Sequence, residues 1–127
     1  MGALETIPTK GWDSIFDLNT KSAYILTREA GKHMIAQKSG TIVNISSGAG
    51  VNGVKGGAHY SASKAALQMF TKVTAAEWGR YGIRANGRDS IRKAVEATSL
   101  EAVLRKFPVA AWGTNKAAVI DVSDLLL

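Results

Sequence analysis

The sequence predicts an α/β fold in which long helices link two short parallel strands. Three observations carry that expectation. Apolar residues recur at three- and four-residue steps over residues 9–38 and again over 58–79, the period of a helix with one buried face. Between these two stretches lies 41–46, a short β-branched run bounded by turn residues, which reads as a buried strand. A further candidate strand opens at Ile83, just past the second helix, and a helix joining two strands is the crossover unit of a parallel sheet.

Along the first helix, Trp12, Phe16, Ala23, Leu26, Ala30 and Met34 form the apolar stripe, and Asn19 falls on it. A buried amide without a hydrogen-bond partner costs about 1–3 kcal/mol, so Asn19 needs one. Gly40 is expected to end this helix in a left-handed conformation. After the strand, 47–57 contains Gly48, Gly50, Gly53, Gly56 and Gly57. That density argues for a loop whose backbone runs close to something else. The second helix presents Ala62, Ala66, Met69, Phe70, Val73 and Ala76 as its apolar face, and Gly82 sits just past its end. Residues 87–98 are polar and without period. Ser99 is placed to cap a short helix over 100–107 that Pro108 ends, and Thr114 to cap a last helix with Val119, Val122 and Leu126 on one side. There is no internal repeat. The chain reads as one domain over 1–127, with a segment 1–86 and a distinct C-terminal segment 87–127.

Hydrophobic residues make up 46% and charged residues 20% of the chain, the balance of a soluble globular protein rather than a disordered one. No apolar run reaches the ~18 residues of a membrane span, and the first ten residues lack the basic start and apolar stretch of a secretory signal. The absence of cysteine excludes disulfides and thiolate metal sites and fits a reducing compartment, so a cytoplasmic protein with no metal is expected. Sixteen basic against ten acidic side chains give a net charge of +6. The basic residues are spread out, and the densest group (Arg80, Arg84, Arg88, Arg92, Lys93) carries no nucleic-acid motif, so neither nucleic acid nor membrane is expected as a partner. Met1, Gly2 and Thr6 match a myristoylation pattern too short to carry weight, and a start codon within a longer ancestral frame explains them as well.

The chemistry gathers at Tyr60 and Lys64, four residues apart and on one helix face. A free tyrosine titrates near pH ~10, and bringing one to ~7 takes about 4 kcal/mol. One positive charge ~4 Å away supplies about that much at an effective dielectric of ~20. On magnitude alone, a lysine one turn along suffices to make a tyrosine a working acid/base. Such a pair taken in isolation is more often a solvated tyrosine and lysine on an outer face; its context decides.

That context is Ser47 closing the run Ile42-Val43-Asn44-Ile45-Ser46-Ser47, then Tyr60-Ser61-Ala62-Ser63-Lys64, then a helix running to Glu77-Trp78-Gly79-Arg80-Tyr81-Gly82-Ile83-Arg84-Ala85-Asn86, with Asp17-Leu18-Asn19 upstream. In order and spacing the chain resembles the short-chain dehydrogenase/reductase family, closely over 3–86 and more weakly over 100–113. The resemblance implies a partial Rossmann-like doubly wound fold with the N-terminal half of the sheet missing. It implies an oxidoreductase that moves hydride between NAD or NADP and an alcohol or ketone. By resemblance the catalytic residues are Asn19, Ser47, Tyr60 and Lys64. Tyr60 would exchange a proton with the substrate oxygen, and Lys64 would favour the phenolate and hold the nicotinamide ribose, making these two the cofactor-binding residues. Ser47 would bind and position the reacting oxygen of the substrate, and Asn19 would anchor a water that relays protons through Lys64.

The departures are as informative. The family's glycine-rich turn for the cofactor pyrophosphate lies upstream of the long helix and is absent from this stretch; Gly2-Ala3 looks like the remnant of the family's Asn-Ala-Gly motif. The family's Pro-Gly turn after Asn86 is replaced by Gly87-Arg88-Asp89-Ser90-Ile91-Arg92. The run Gly48-Ala49-Gly50-Val51-Asn52-Gly53 matches a dinucleotide fingerprint, but a further loop intervenes before the next helix and Glu77 falls inside a helix, so it reads as a loop beside the substrate. The chain covers about half the family's domain, which would leave two strands with open edges and uncovered helix faces. It is therefore expected to form homo-oligomers through its two long helices, or to be marginal alone. The alternative is a non-catalytic truncated remnant that only associates with partner chains.

Overall fold

A computed structural model describes residues 2–88 and 117–120. The polar stretch beyond residue 88 and the short helix expected over 100–107 lie outside the described residues.

The first long helix is not one regular helix. A turn of 3-10 helix at Leu4–Thr6 leads into α1 (Thr9–Phe16), a π-helical segment (Asp17–Lys21) and α2 (Ser22–Ala36). The widened turn falls at Asn19, the one buried residue of that segment. Such π-bulges within α-helices are frequent at functional sites. The left-handed residue after α2 is Lys38, with φ of 54°, and not Gly40. Gly40 instead begins the next strand, where a Cβ would lie 2.5 Å from the Met34 sulfur. It is glycine because the strand passes close to α2, not because the chain turns.

Strand β1 (Gly40–Ile45) and strand β2 (Ile83–Arg88) pair in parallel, in register from Gly40↔Ile83 to Ile45↔Arg88. Helix α4 (Ala58–Trp78) crosses between them, followed by a 3-10 turn (Gly79–Tyr81) and Gly82 in the left-handed conformation at φ 73°. A third strand, β3 (Ala117–Ile120), pairs in parallel with the other edge of β1, from Thr41↔Ala117 to Asn44↔Ile120, giving the order β2-β1-β3. The helix expected to start at Thr114 is thus a strand over these four residues. Its β-branched Val119 and Ile120 suit a strand, and the edge of β1 supplies the backbone partners that a helix would not need.

One apolar cluster, with Ala23 and Met34 of α2, Ile42 of β1, Leu67 of α4 and Ile83 of β2, joins both helices to one face of the sheet. The inward faces differ from the predicted stripes. Helix α2 buries Ala23, Thr27, Gly31 and Met34, while Leu26 is 44% exposed. Helix α4 buries Ser63, Lys64, Leu67, Thr71 and Thr74, and leaves Met69 58% exposed. The physical reason is close approach. Thr71 and Thr74 donate their hydroxyls to the carbonyls of Leu67 and Phe70 one turn back, at 2.8 and 2.9 Å, so these short side chains enter the core already satisfied. Gly31 serves the same end, since a Cβ there would sit 2.2 Å from the Trp78 ring. No described helix is long and apolar enough to cross a membrane.

Candidate active site

Lys64 is fully buried, and its ammonium donates to the carbonyl of Ile45, the last residue of β1, at 3.1 Å. Its own carbonyl accepts from the Ser46 hydroxyl at 3.0 Å. These two bonds fasten the first turns of α4 to the end of the strand. The ammonium also lies 5.8 Å from the ring centre of Tyr60, one turn earlier. The i, i+4 spacing thus sets the two side chains together on one face of α4. Tyr60 is half-buried, while Lys64 is turned fully inward between the phenol ring and the strand.

Asn19 has the partner its burial requires. Its amide donates to the Ser63 hydroxyl at 2.9 Å, and Ser63 in turn donates to the carbonyl of Tyr60 at 2.8 Å. Thr20 adds a bond from its hydroxyl to the Ser63 carbonyl at 3.0 Å. The π segment is thereby tied to α4 directly beside Lys64. The Asn19 Oδ1 is buried without a partner among the described residues.

Ser47 stands two residues past β1. Its Oγ accepts from the Ala49 amide at 3.1 Å, and its carbonyl accepts from the Gly50 amide and the Gln68 side chain, each at 3.0 Å. The glycine-rich stretch is not a loop throughout, because Ala49–Asn52 form a single helical turn, α3, that packs on α4. Gly50 makes that packing possible, since a Cβ there would lie 2.8 Å from backbone atoms of Lys64 and Ala65. The density of glycines predicted a close backbone approach, and Gly50 is where it occurs. The hydroxyls of Ser47 and Tyr60 share no hydrogen bond among the described residues; the two residues are related through α4, by Gln68 on one side and Lys64 on the other.

Sequence reasoning missed Ser63, Ser46 and Gln68, which hold the four predicted residues in place. Ser63 had a readable signal, lying one position before Lys64 and three after Tyr60. Ser46 and Gln68 had none beyond proximity. Among the described residues no group of three His, Cys, Asp or Glu side chains is arranged to hold a metal ion.

The comparisons with known proteins identify the family. The family described as short chain dehydrogenase matches residues 1–90. A 3-oxoacyl-[acyl-carrier-protein] reductase of Synechocystis sp. is 37% identical over 105 residues, covering 80% of this chain and 42% of the reductase. An NAD+-bound xylitol dehydrogenase superposes with a TM-score of 0.66 at 30% identity, over 68% of this chain and 33% of that one. A gluconate 5-dehydrogenase of Burkholderia cenocepacia, in complex with NADP and tartrate, gives 0.67 at 25% identity, over 95% of this chain and 58% of that one. The chain thus spans less than half the length of the curated relative it matches. On the family match over residues 1–90, carried by a parallel sheet with Lys64 locked against its central strand, the chain belongs to the short-chain dehydrogenase family.

Proposed function

We propose that the chain carries the proton-transfer centre of an NAD- or NADP-dependent oxidoreductase that interconverts an alcohol and a ketone. The observation that supports this most is the buried Lys64 ammonium, held by the Ile45 carbonyl at 3.1 Å and set 5.8 Å from the Tyr60 ring centre. A buried cation beside a half-buried phenol is a costly arrangement for a purely structural purpose. It is a suitable one for moving a proton at the phenol oxygen.

In the reducing direction, Tyr60 donates its proton to the carbonyl oxygen of the ketone, and Lys64 stabilises the charge left on the phenol. In the oxidising direction the phenolate takes the proton back from the alcohol. Ser47, placed past the end of β1, hydrogen-bonds the reacting oxygen and orients it. Asn19 Oδ1, buried and unpartnered among the described residues, accepts from a water that continues the proton path toward Lys64. Tyr60 and Lys64 fit the ribose end of a dinucleotide, since both offer hydrogen bonds at the carboxyl ends of parallel strands, where open α/β sheets bind their ligands. Nicotinamide, when bound there, supplies the hydride donor or acceptor.

The names of the similar proteins (a 3-oxoacyl reductase, a xylitol dehydrogenase and a gluconate 5-dehydrogenase) suggest a secondary alcohol or its ketone as substrate. The partner is a second copy of the chain, joined through the outer apolar faces of α2 and α4, and the setting is the cytoplasm. The test is to add reduced dinucleotide at millimolar level with a panel of ketones. Binding at ~100 times Kd stabilises the folded chain by about 2.7 kcal/mol, visible as a rise in Tm. Tyr60→Phe should keep most of that rise, losing one hydrogen bond to the ribose, and should lose oxidation of the cofactor. Neither a rise nor turnover in the unaltered chain would overturn the reading.

A further inference from the structure

A cavity of about 430 Å³ lies between α4 and β2, beside the residue that follows β1. Ser46, Gln68, Thr71, Lys72 and Asn86 supply its polar wall, and Ala75 and Ala85 are too short to fill it. A cavity of this size is within the range of small-molecule sites. Open α/β sheets take their ligands in the crevice beyond the carboxyl ends of the strands, the end at which Ser46 and Asn86 stand. The wall is rich in donors. Gln68 gives one side-chain N–H to the Ser47 carbonyl at 3.0 Å and keeps the other, and Asn86 adds a second amide. Lys72 is exposed, and none of the ion pairs among the described residues involves it. No aspartate or glutamate is among the described residues of the lining. One cation and two amides without an anion make a surface whose missing partner is a negative charge with several acceptor oxygens.

We propose that this cavity is a subsite for a small oxyanion, a carboxylate or a phosphate, held by Lys72 together with the amides of Gln68 and Asn86. The hydroxyls of Ser46 and Thr71 are already committed to the carbonyls of Lys64 and Leu67, at 3.0 and 2.8 Å, so the three nitrogen-bearing side chains carry the recognition. Gln68 ties the subsite to the candidate active site, because the same amide holds the main chain of Ser47. The substrate is thereby narrowed to an alcohol or ketone that bears an anionic group away from the reacting carbon. Only this last assignment rests on the proposed oxidoreductase activity; binding of the oxyanion does not.

The experiment uses the full chain and two probes, inorganic phosphate and acetate, each at ~10 mM against sodium chloride of equal ionic strength, so that general salt effects cancel. A Kd of ~1 mM gives a rise in Tm of about 3 °C. Lys72→Gln removes the charge, and Ala75→Leu fills the cavity with the charge kept. Each should lose the rise, measured against its own chloride baseline. Lys55→Gln, an exposed lysine of the glycine-rich stretch outside the cavity, should keep it. The side-chain amide signals of Gln68 and Asn86 should shift as the probe is added. A rise with one probe alone supports the subsite and identifies the group it takes. No rise with either probe, unmoved amide signals, a rise kept by either cavity variant, or one lost equally in Lys55→Gln would each overturn the subsite. With a ketone bearing the group that binds, Lys72→Gln should raise KM about tenfold more than it lowers kcat. An unchanged KM would overturn the substrate assignment. Absence of turnover in the unaltered chain would instead count against the oxidoreductase reading, and the binding result would still decide the subsite.

Discussion

The side-chain amide of Asn19 donates to the Ser63 hydroxyl at 2.9 Å, with both residues fully buried. This contact joins the widened π turn to the helix that carries Tyr60 and Lys64. Ser63 also donates to the Tyr60 carbonyl, so one hydroxyl spans two elements.

Ser63→Ala should therefore destabilise the chain by about 1–3 kcal/mol, the cost of leaving the buried Asn19 amide without its acceptor. Urea unfolding gives the value. Ser14→Ala, which removes an exposed hydroxyl bonded to its own helix, should stay within about 0.5 kcal/mol. Asn19→Ala/Ser63→Ala should cost less than the two single changes added together, because the pair acts as a unit. Strict additivity would mean that the bond contributes nothing.

Gly50→Ala and Gly48→Ala should behave oppositely although they lie two residues apart. A Cβ at Gly50 meets the backbone of Lys64 and Ala65 at 2.8 Å, whereas one at Gly48 meets nothing within 4 Å. Backbone cannot yield as a side-chain tip can, so Gly50→Ala should cost about 1–3 kcal/mol by forcing α3 away from α4. It should also weaken any dinucleotide-induced rise in Tm, because Lys64 is one of the two residues displaced. Gly48→Ala should be neutral within about 0.5 kcal/mol. Thermal melts of the two variants with and without cofactor separate these outcomes.

Much of this was legible in the residues. The period of α4, the β-branched run of β1 and the four-residue step from Tyr60 to Lys64 are local signals, and local signals survive into the structure. Asn19 was marked by its polarity on an apolar stripe, and its partner proved to be Ser63. The inward faces were not legible, because both long helices carry apolar residues nearly all round. The sheet selected the small and hydroxyl-bearing side chains Thr27, Gly31, Ser63 and Thr71, which permit close approach, over the larger Leu26 and Met69. The π turn at Asp17–Lys21 alters the period too little to be seen in so short a stretch. The strand at Ala117–Ile120 depends on an edge that the local sequence does not mention.

On the surface of α2, Glu29 accepts hydrogen bonds from Lys32 and from Arg28, and these hold its carboxyl below the ordinary carboxylate range, with the Lys32 bond the larger cause. A carboxyl whose pKa is lower in the folded state contributes stability that is present above its unfolded pKa and is lost as pH falls through the folded value. The difference in Tm between the unaltered chain and Glu29→Gln should thus favour the unaltered chain at neutral pH and vanish in acid. The group is solvent-exposed, so added salt should shrink the difference at neutral pH as well. A difference that grows as pH falls would contradict the assignment.

The outer faces of α2 and α4 leave Tyr24, Ile25, Leu26, Met69 and Val73 each at least 40% exposed, and Tyr24 meets Phe70 edge-on across the groove between the helices. Single exposed apolar side chains are ordinary, and the proposed association between copies is tested where several of them lie on the two long helices. Met69→Lys/Val73→Lys places two like charges in that set without touching the core cluster. If copies of the chain associate there, sedimentation should show the weight-average mass falling toward the monomer, because an unpaired charge buried in an interface opposes association. Unfolding of the dilute chain should change by no more than about 0.5 kcal/mol, since neither side chain is buried within one molecule. Loss of folding together with association would instead place these residues in the support of the fold, and an unchanged mass would move the contact between copies to another surface.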